Sequence, residues 1–229
     1  MIINEIWESN DEKIWNAALK KATFDTGRDN YIESKLSRLN VEYIKNLSKQ
    51  EFYTFLHDDY FVWKFTAKNR LKTSRTHLEN YDIQNKMEDL EEIQKEIFSF
   101  NLSDTPMGLT IVTKIKGLGV AGGSGLLSLL FPSFFGTVDE QAIKALLATE
   151  QYKDDPILNK IKTQDIKIKE GVYLNNIYQK KSHELNQLFG SYCWTPRDID
   201  VILWFYRDKN FNQLTFGSFP EPDSFFLGL

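Results

Sequence analysis

A single cysteine, Cys193, stands among 229 residues, which excludes an internal disulfide framework and any four-cysteine zinc or iron–sulfur centre built by this chain alone. Free cysteine behaves as a small apolar residue, so Cys193 is expected to be buried. Histidine is nearly as scarce, and His57, His77 and His183 fall at no metal-ligand spacing. No apolar run approaches the roughly 20 residues that span a bilayer. The opening MIINEIWESNDEK lacks the basic-then-apolar order of a signal peptide. Internal repeats and low-complexity linkers are missing as well. Together these absences predict a monomeric cytoplasmic protein without a membrane partner, long enough to bury a core as one domain.

Net charge is −4, which by itself argues against a nucleic-acid partner. Its distribution argues differently, because phosphates meet one face only. From 64 to 75 the chain carries five basic residues (Lys64, Lys68, Arg70, Lys72, Arg75) and no acidic one, while acidic residues dominate from 79 to 96. An acidic total with sorted charge leaves room for a DNA-binding face.

Nearly every segment has helical periodicity. Ile14, Trp15, Ala18 and Leu19 recur at helical spacing, as do Phe52, Phe55, Leu56 and Tyr60, and Leu90, Ile93, Ile97 and Phe98. Ser9-x-x-Glu12 and Ser48-x-x-Glu51 have the capping-box form. Thr105-Pro106 and Thr195-Pro196 each set a cap residue before a proline at the first helical position. Residues 61–65 alternate like a strand but sit inside a helical context. The stretch 210–229 has aromatics without periodicity and is expected to wrap the surface as coil. The fold class predicted is all-α.

One segment carries more information. Residues 110–131 read TIVTKIKGLGVAGGSGLLSLLF: a short apolar helix, Gly117-Leu118-Gly119, then a second apolar run. Each glycine inside a helix costs about 0.5–1 kcal/mol against alanine. Ala121-Gly122-Gly123-Ser124-Gly125 is therefore expected to mark close approach by a neighbouring helix or a phosphate. N–H groups at the start of the second helix favour an anion. No Gly-Lys-Ser/Thr follows, so a P-loop is a poor match.

The stretch Ile115-Lys116-Gly117-Leu118-Gly119 resembles the hairpin of the helix-hairpin-helix DNA glycosylase superfamily. After the second helix come a proline-containing loop, 131–138, and Asp139, twenty residues beyond Gly119. That is where the family keeps its catalytic carboxylate. Residues 195–204 resemble the closing helix of bacterial relatives. The resemblance implies two helical lobes around a cleft. Lobe A would hold about 1–100 plus 181–229, and lobe B about 101–180 with the hairpin at 110–131. It implies DNA contact by Lys116, Gly117, Leu118, Gly119, Val120, Ala121, Gly122, Gly123 and Ser124. It requires no cofactor, though hairpin carbonyls of this family can hold a monovalent cation.

Thr137-x-x-Glu140 has the form of a capping box, which would put Asp139 in the first turn of its helix, where the dipole stabilises negative charge by roughly 0.3–1 kcal/mol. Cleaving an N-glycosidic bond builds positive charge on the sugar, and a fixed carboxylate stabilises it and orients water. Two positions depart from the family. Ala121 stands where lyase members carry a nucleophilic lysine, which implies a monofunctional enzyme. Gln141 stands where many relatives have histidine or arginine. The basic run suggests phosphate contacts by Lys64, Lys68 and Arg70, and the aromatic stretch beside it suggests Tyr60 or Trp63 as the wall against which an extruded base stacks. An aromatic pocket suits a damaged base or the enlarged bases of phage DNA, so both repair and antiviral defence are open. The rivals are a hairpin protein that binds DNA without catalysis, and an interaction protein whose glycines only permit tight packing.

Overall fold

The apolar stripes become helices, and no strand forms among the described residues of the computed structural model, which are 1–24, 32, 35, 36 and 38–207. In chain order the helices are α1 (Ile3–Trp7), α2 (Glu12–Phe24), α3 (Val41–Lys45), α4 (Lys49–Thr54), α5 (Phe61–Lys64), α6 (Lys68–Ile83), α7 (Met87–Ile97), α8 (Thr105–Val112), α9 (Val120–Leu130), α10 (Glu140–Leu147), α11 (Ile168–Phe189) and α12 (Pro196–Phe205). A π-helical turn, Phe55–Tyr60, joins α4 to α5, so that 49–64 is one continuous helix with a widened middle. No described helix is long and apolar enough to cross a membrane.

Caps decide most of the helix starts. Ser48 and Glu51 close the expected box on α4, with Ser48 N donating to Glu51 Oε2 at 2.9 Å. Thr195 does the same for α12 with Asp198. Two starts differ from the sequence reading, each because an aspartate outcompetes the neighbouring hydroxyl. Asp104, not Thr105, caps α8 by accepting from Met107 N at 2.9 Å. Asp11 accepts from Lys13 N at 2.8 Å at the start of α2, while Ser9 accepts from Asp11 N.

Three tryptophans fasten the N-terminal helices to the C-terminal ones. Trp15 lies between Trp7 and Trp194, with ring centroids at 6.2 and 5.9 Å. All three are buried, and each such side chain contributes about 1.5–3 kcal/mol of transfer free energy. Helix α12 packs against α2, α10 and α11, and α11 packs against α8 and α9. Helix α11 runs unbroken through residues 180 and 181, across the boundary expected between lobes. The described apolar core forms one continuous cluster. Cys193, expected to be buried, is exposed, because the turn from α11 to α12 carries it outward while Trp194 turns in. The stretch 210–229 lies outside the described residues.

Candidate functional site

Helices α8 and α9 form the hairpin, and most of its glycines have a neighbour that explains them. A Cβ on Gly123 would fall 2.4 Å from Val112 Cγ2, so glycine sets how closely the two helices cross. Gly117 has φ +93°, and a Cβ there would also meet the carbonyl oxygen of Ser74 at 2.5 Å. The hairpin turn is thereby laid directly on the backbone of α6. Tyr81 holds it there, donating to Lys114 O at 3.0 Å and accepting from Lys116 N at 3.2 Å. Gly119 differs. It is the N-cap of α9, no side chain caps it, and a Cβ would meet nothing within 4 Å. Of the two explanations the sequence offered for the glycines of 121–125, helix packing accounts for Gly123.

Asp139 is itself the N-cap of α10, where the sequence reading had made Thr137 the cap. Asp139 Oδ1 accepts from Gln141 N at 3.0 Å and Ala142 N at 3.2 Å. Thr137 is instead drawn inward, its hydroxyl 3.1 Å from Ser128 Oγ and accepting from Arg197 at 3.2 Å. The loop before Asp139 is tied on every side. Gly136 N donates to Asn175 Oδ1, Thr137 N to Asp200 Oδ2, and Val138 N to Ser124 Oγ, at 2.9–3.0 Å. Tyr178 donates its hydroxyl to Thr137 O at 3.1 Å. Asp200, 2% exposed, also accepts from Arg197 at 2.5 Å. Burial pushes the Asp200 carboxyl above its usual range, against the pull of Arg197. The result is a carboxylate on a rigid mount, which preorganised chemistry needs.

The second oxygen, Asp139 Oδ2, lies 3.3 Å from Lys64 Nζ. The side chains are 21% and 11% exposed. Lys64 comes from α5, beyond the π turn, and its stem crosses α9 at Gly125, where a Cβ would lie 3.2 Å from Lys64 Cδ. The same absent Cβ leaves room for the Tyr60 hydroxyl, which donates to Gly122 O.

These pieces meet in a cavity of about 490 Å³. One wall is the start of α9 (Gly119, Val120, Ala121, Gly122) with Gly117 behind it, and another is the start of α10 (Asp139, Glu140, Gln141). Lys64, Phe65, Arg70, Gln164, Trp204 and Arg207 are among the residues that complete the lining. The start of α9 is uncapped and opens into this space, which favours an anionic ligand there, whereas the first N–H groups of α10 are already taken by Asp139.

Not every residue singled out in the sequence arrives here. Lys116 holds Gln84 at 3.0 Å and lies over the Tyr81 ring, while Leu118 is buried. Gly123 and Ser124 are on the buried face of α9, where their smallness and hydroxyl serve packing and the Asp139 loop. Lys68 is exposed outside the cavity lining. Tyr60 and Trp63, expected as the stacking wall, are core residues: Tyr60 is wholly buried, and Trp63 lies beneath Arg197 at 5.3 Å. The aromatic rings at the cavity are Phe65 and Trp204 instead. The widened turn 55–60 sets which aromatics face inward, and no pattern in the sequence announced it. Among the described residues no group of three or more histidine, cysteine or acidic side chains is placed to hold a metal ion.

Comparison with known proteins gives no further guide: no family model, curated protein or solved structure matches the chain.

Proposed function

We propose that the chain is a DNA glycosylase of the helix-hairpin-helix kind, acting as a cytoplasmic monomer and removing a damaged or modified base to leave an abasic site. The observation that carries this reading is the shared cavity. The open start of α9 at Gly119 and the capping carboxylate Asp139 face one space, with Arg70 at its edge. In this reading phosphate lies at the start of α9 beside Gly119, which no side chain caps and where a Cβ would meet nothing. The extruded nucleotide enters between Phe65 and Trp204. Asp139 stabilises the positive charge that develops on the sugar and orients the attacking water. Ala121, at the wall, offers no amine for base displacement, so water is the nucleophile of the first step.

A cavity of about 490 Å³ has room for a base enlarged by a substituent as well as for a plain purine. The experiment therefore uses both kinds of substrate. Duplexes carrying alkylated or oxidised purines, and phage DNA with modified cytosines beside its unmodified counterpart, are incubated with the protein and assayed for abasic sites. Sites on one class name the substrate and decide between repair and defence. Sites on none leave the second reading, a hairpin protein that binds DNA without catalysis. That reading draws on one observation: both oxygens of Asp139 are already engaged, one by two backbone N–H groups and one by Lys64.

A further inference from the structure

We propose that Lys64 acts on the base while Asp139 acts on the sugar, so that the cavity takes a neutral base which departs as an anion. The proposal rests on the DNA-glycosylase reading and narrows its substrate class. Lys64 Nζ is 3.3 Å from Asp139 Oδ2, and both side chains line one cavity. Lysine is an ammonium at neutral pH, and a carboxylate beside it favours that form. An ammonium this close to a forming sugar cation opposes the reaction unless negative charge develops beside it. Cleavage of a neutral nucleoside supplies that charge, because the bonding electron pair goes to the base. A cationic base, such as a 7-alkylated purine, departs neutral, and the ammonium only repels it.

The rest of the cavity has the same bias. Each carboxylate among its described lining residues has a lysine partner: Asp139 has Lys64, Glu140 has Lys144 at 2.7 Å, and Asp165 has Lys167. Arg70 adds a further cation to the lining. The Trp204 ring, whose face would attract a cationic base, already carries Arg207 at 4.2 Å. In the reaction the C1′–N bond breaks and its electron pair stays on the base, stabilised by Lys64. A carbonyl beside the glycosidic nitrogen, as in pyrimidines and 8-oxopurines, spreads that charge onto an oxygen acceptor. Water adds to C1′ and passes one proton to Asp139, which hands it to the base anion. The products are a sugar hydroxyl and a neutral base. Lys64 ends as an ammonium and Asp139 as a carboxylate, with water the only co-reactant.

The test measures single-turnover base release from duplexes carrying 5-substituted uracils and cytosines, 8-oxoguanine or 7-methylguanine, and from phage DNA with modified cytosines. The wild type should release at least one neutral base and leave 7-methylguanine in place. Lys64→Gln should melt like the parent yet release that neutral base roughly 100-fold more slowly. The loss should be largest for the base whose anion is least stable, and slow release of 7-methylguanine should not fall with it. Lys64→Arg keeps the charge and should recover much of the lost rate. A lysine that only propped up Asp139 would, when replaced, slow all bases alike. Such a uniform loss, undiminished release by Lys64→Gln, or preferred release of 7-methylguanine overturns the role of Lys64 and leaves the glycosylase reading standing. No release from any duplex removes both.

Discussion

Asp139 caps α10, and in the proposed function it also stabilises charge on the sugar; its amide counterpart separates the two. Asparagine caps a helix about as well as aspartate, so Asp139→Asn should keep the bonds to Gln141 N and Ala142 N and stay within about 1 kcal/mol of the parent in urea denaturation. Base release should nevertheless disappear, because the developing positive charge loses its partner. DNA affinity should hold or rise as a negative charge leaves the cavity. Retained base release in the purified variant would refute the assignment of Asp139. At this scale the sequence was partly legible. The distance from Gly119 pointed to Asp139, yet Thr137 looked like its cap, because Thr-x-x-Glu is read locally. Asp200 and Arg197, which pull Thr137 inward, lie some sixty residues away.

The hairpin's two flanking glycines should respond in opposite ways. Gly117→Ala forces an L side chain to φ +93° and against Ser74 O, and should destabilise the protein by about 1–3 kcal/mol in a melting experiment. Gly119→Leu meets open space, so the fold should melt as before while binding weakens about equally on all DNA sequences. Parent-like binding by Gly119→Leu would show that phosphate does not lie there. Helix α12 has its own test. Asp200→Ala would leave the half-buried Arg197 beside an unpartnered Thr137 N–H, at a cost of about 3 kcal/mol in unfolding free energy measured by denaturation. Losing that strut should also loosen the Asp139 loop and lower base release more than DNA binding. Helices with strong caps and stripes, such as α4 and α12, were readable locally. The π turn was not, because its sequence carries the same apolar residues an α-helix would.

For the molecule as a whole, net charge −4 and a DNA partner are compatible only if cations gather on one side. Arg70 lines the cavity, and Lys68 and Lys72 are exposed on α6 nearby. Binding should therefore fall steeply between low and moderate salt, with a log–log slope near the number of phosphates met. A salt-independent interaction would argue for a different partner. The all-helical class was visible from periodicity, whereas the cavity was not. It joins residues from α5, α6, α9, α10 and α12, and its ion pair, Lys64 and Asp139, is separated by 75 positions. The same long-range assembly gives the protein an optical property. Of its five tryptophans, Trp7, Trp15, Trp63 and Trp194 are at most 4% exposed, and Trp204 alone lines the cavity, with Arg207 over its ring at 4.2 Å. A soluble quencher should reach about one fifth of the indole emission, and a nucleotide stacking at Trp204 should extinguish that same fraction. Trp204→Phe would leave the remaining emission blind to DNA. The chain thus carries its own fluorescent gauge of whether the cavity is filled.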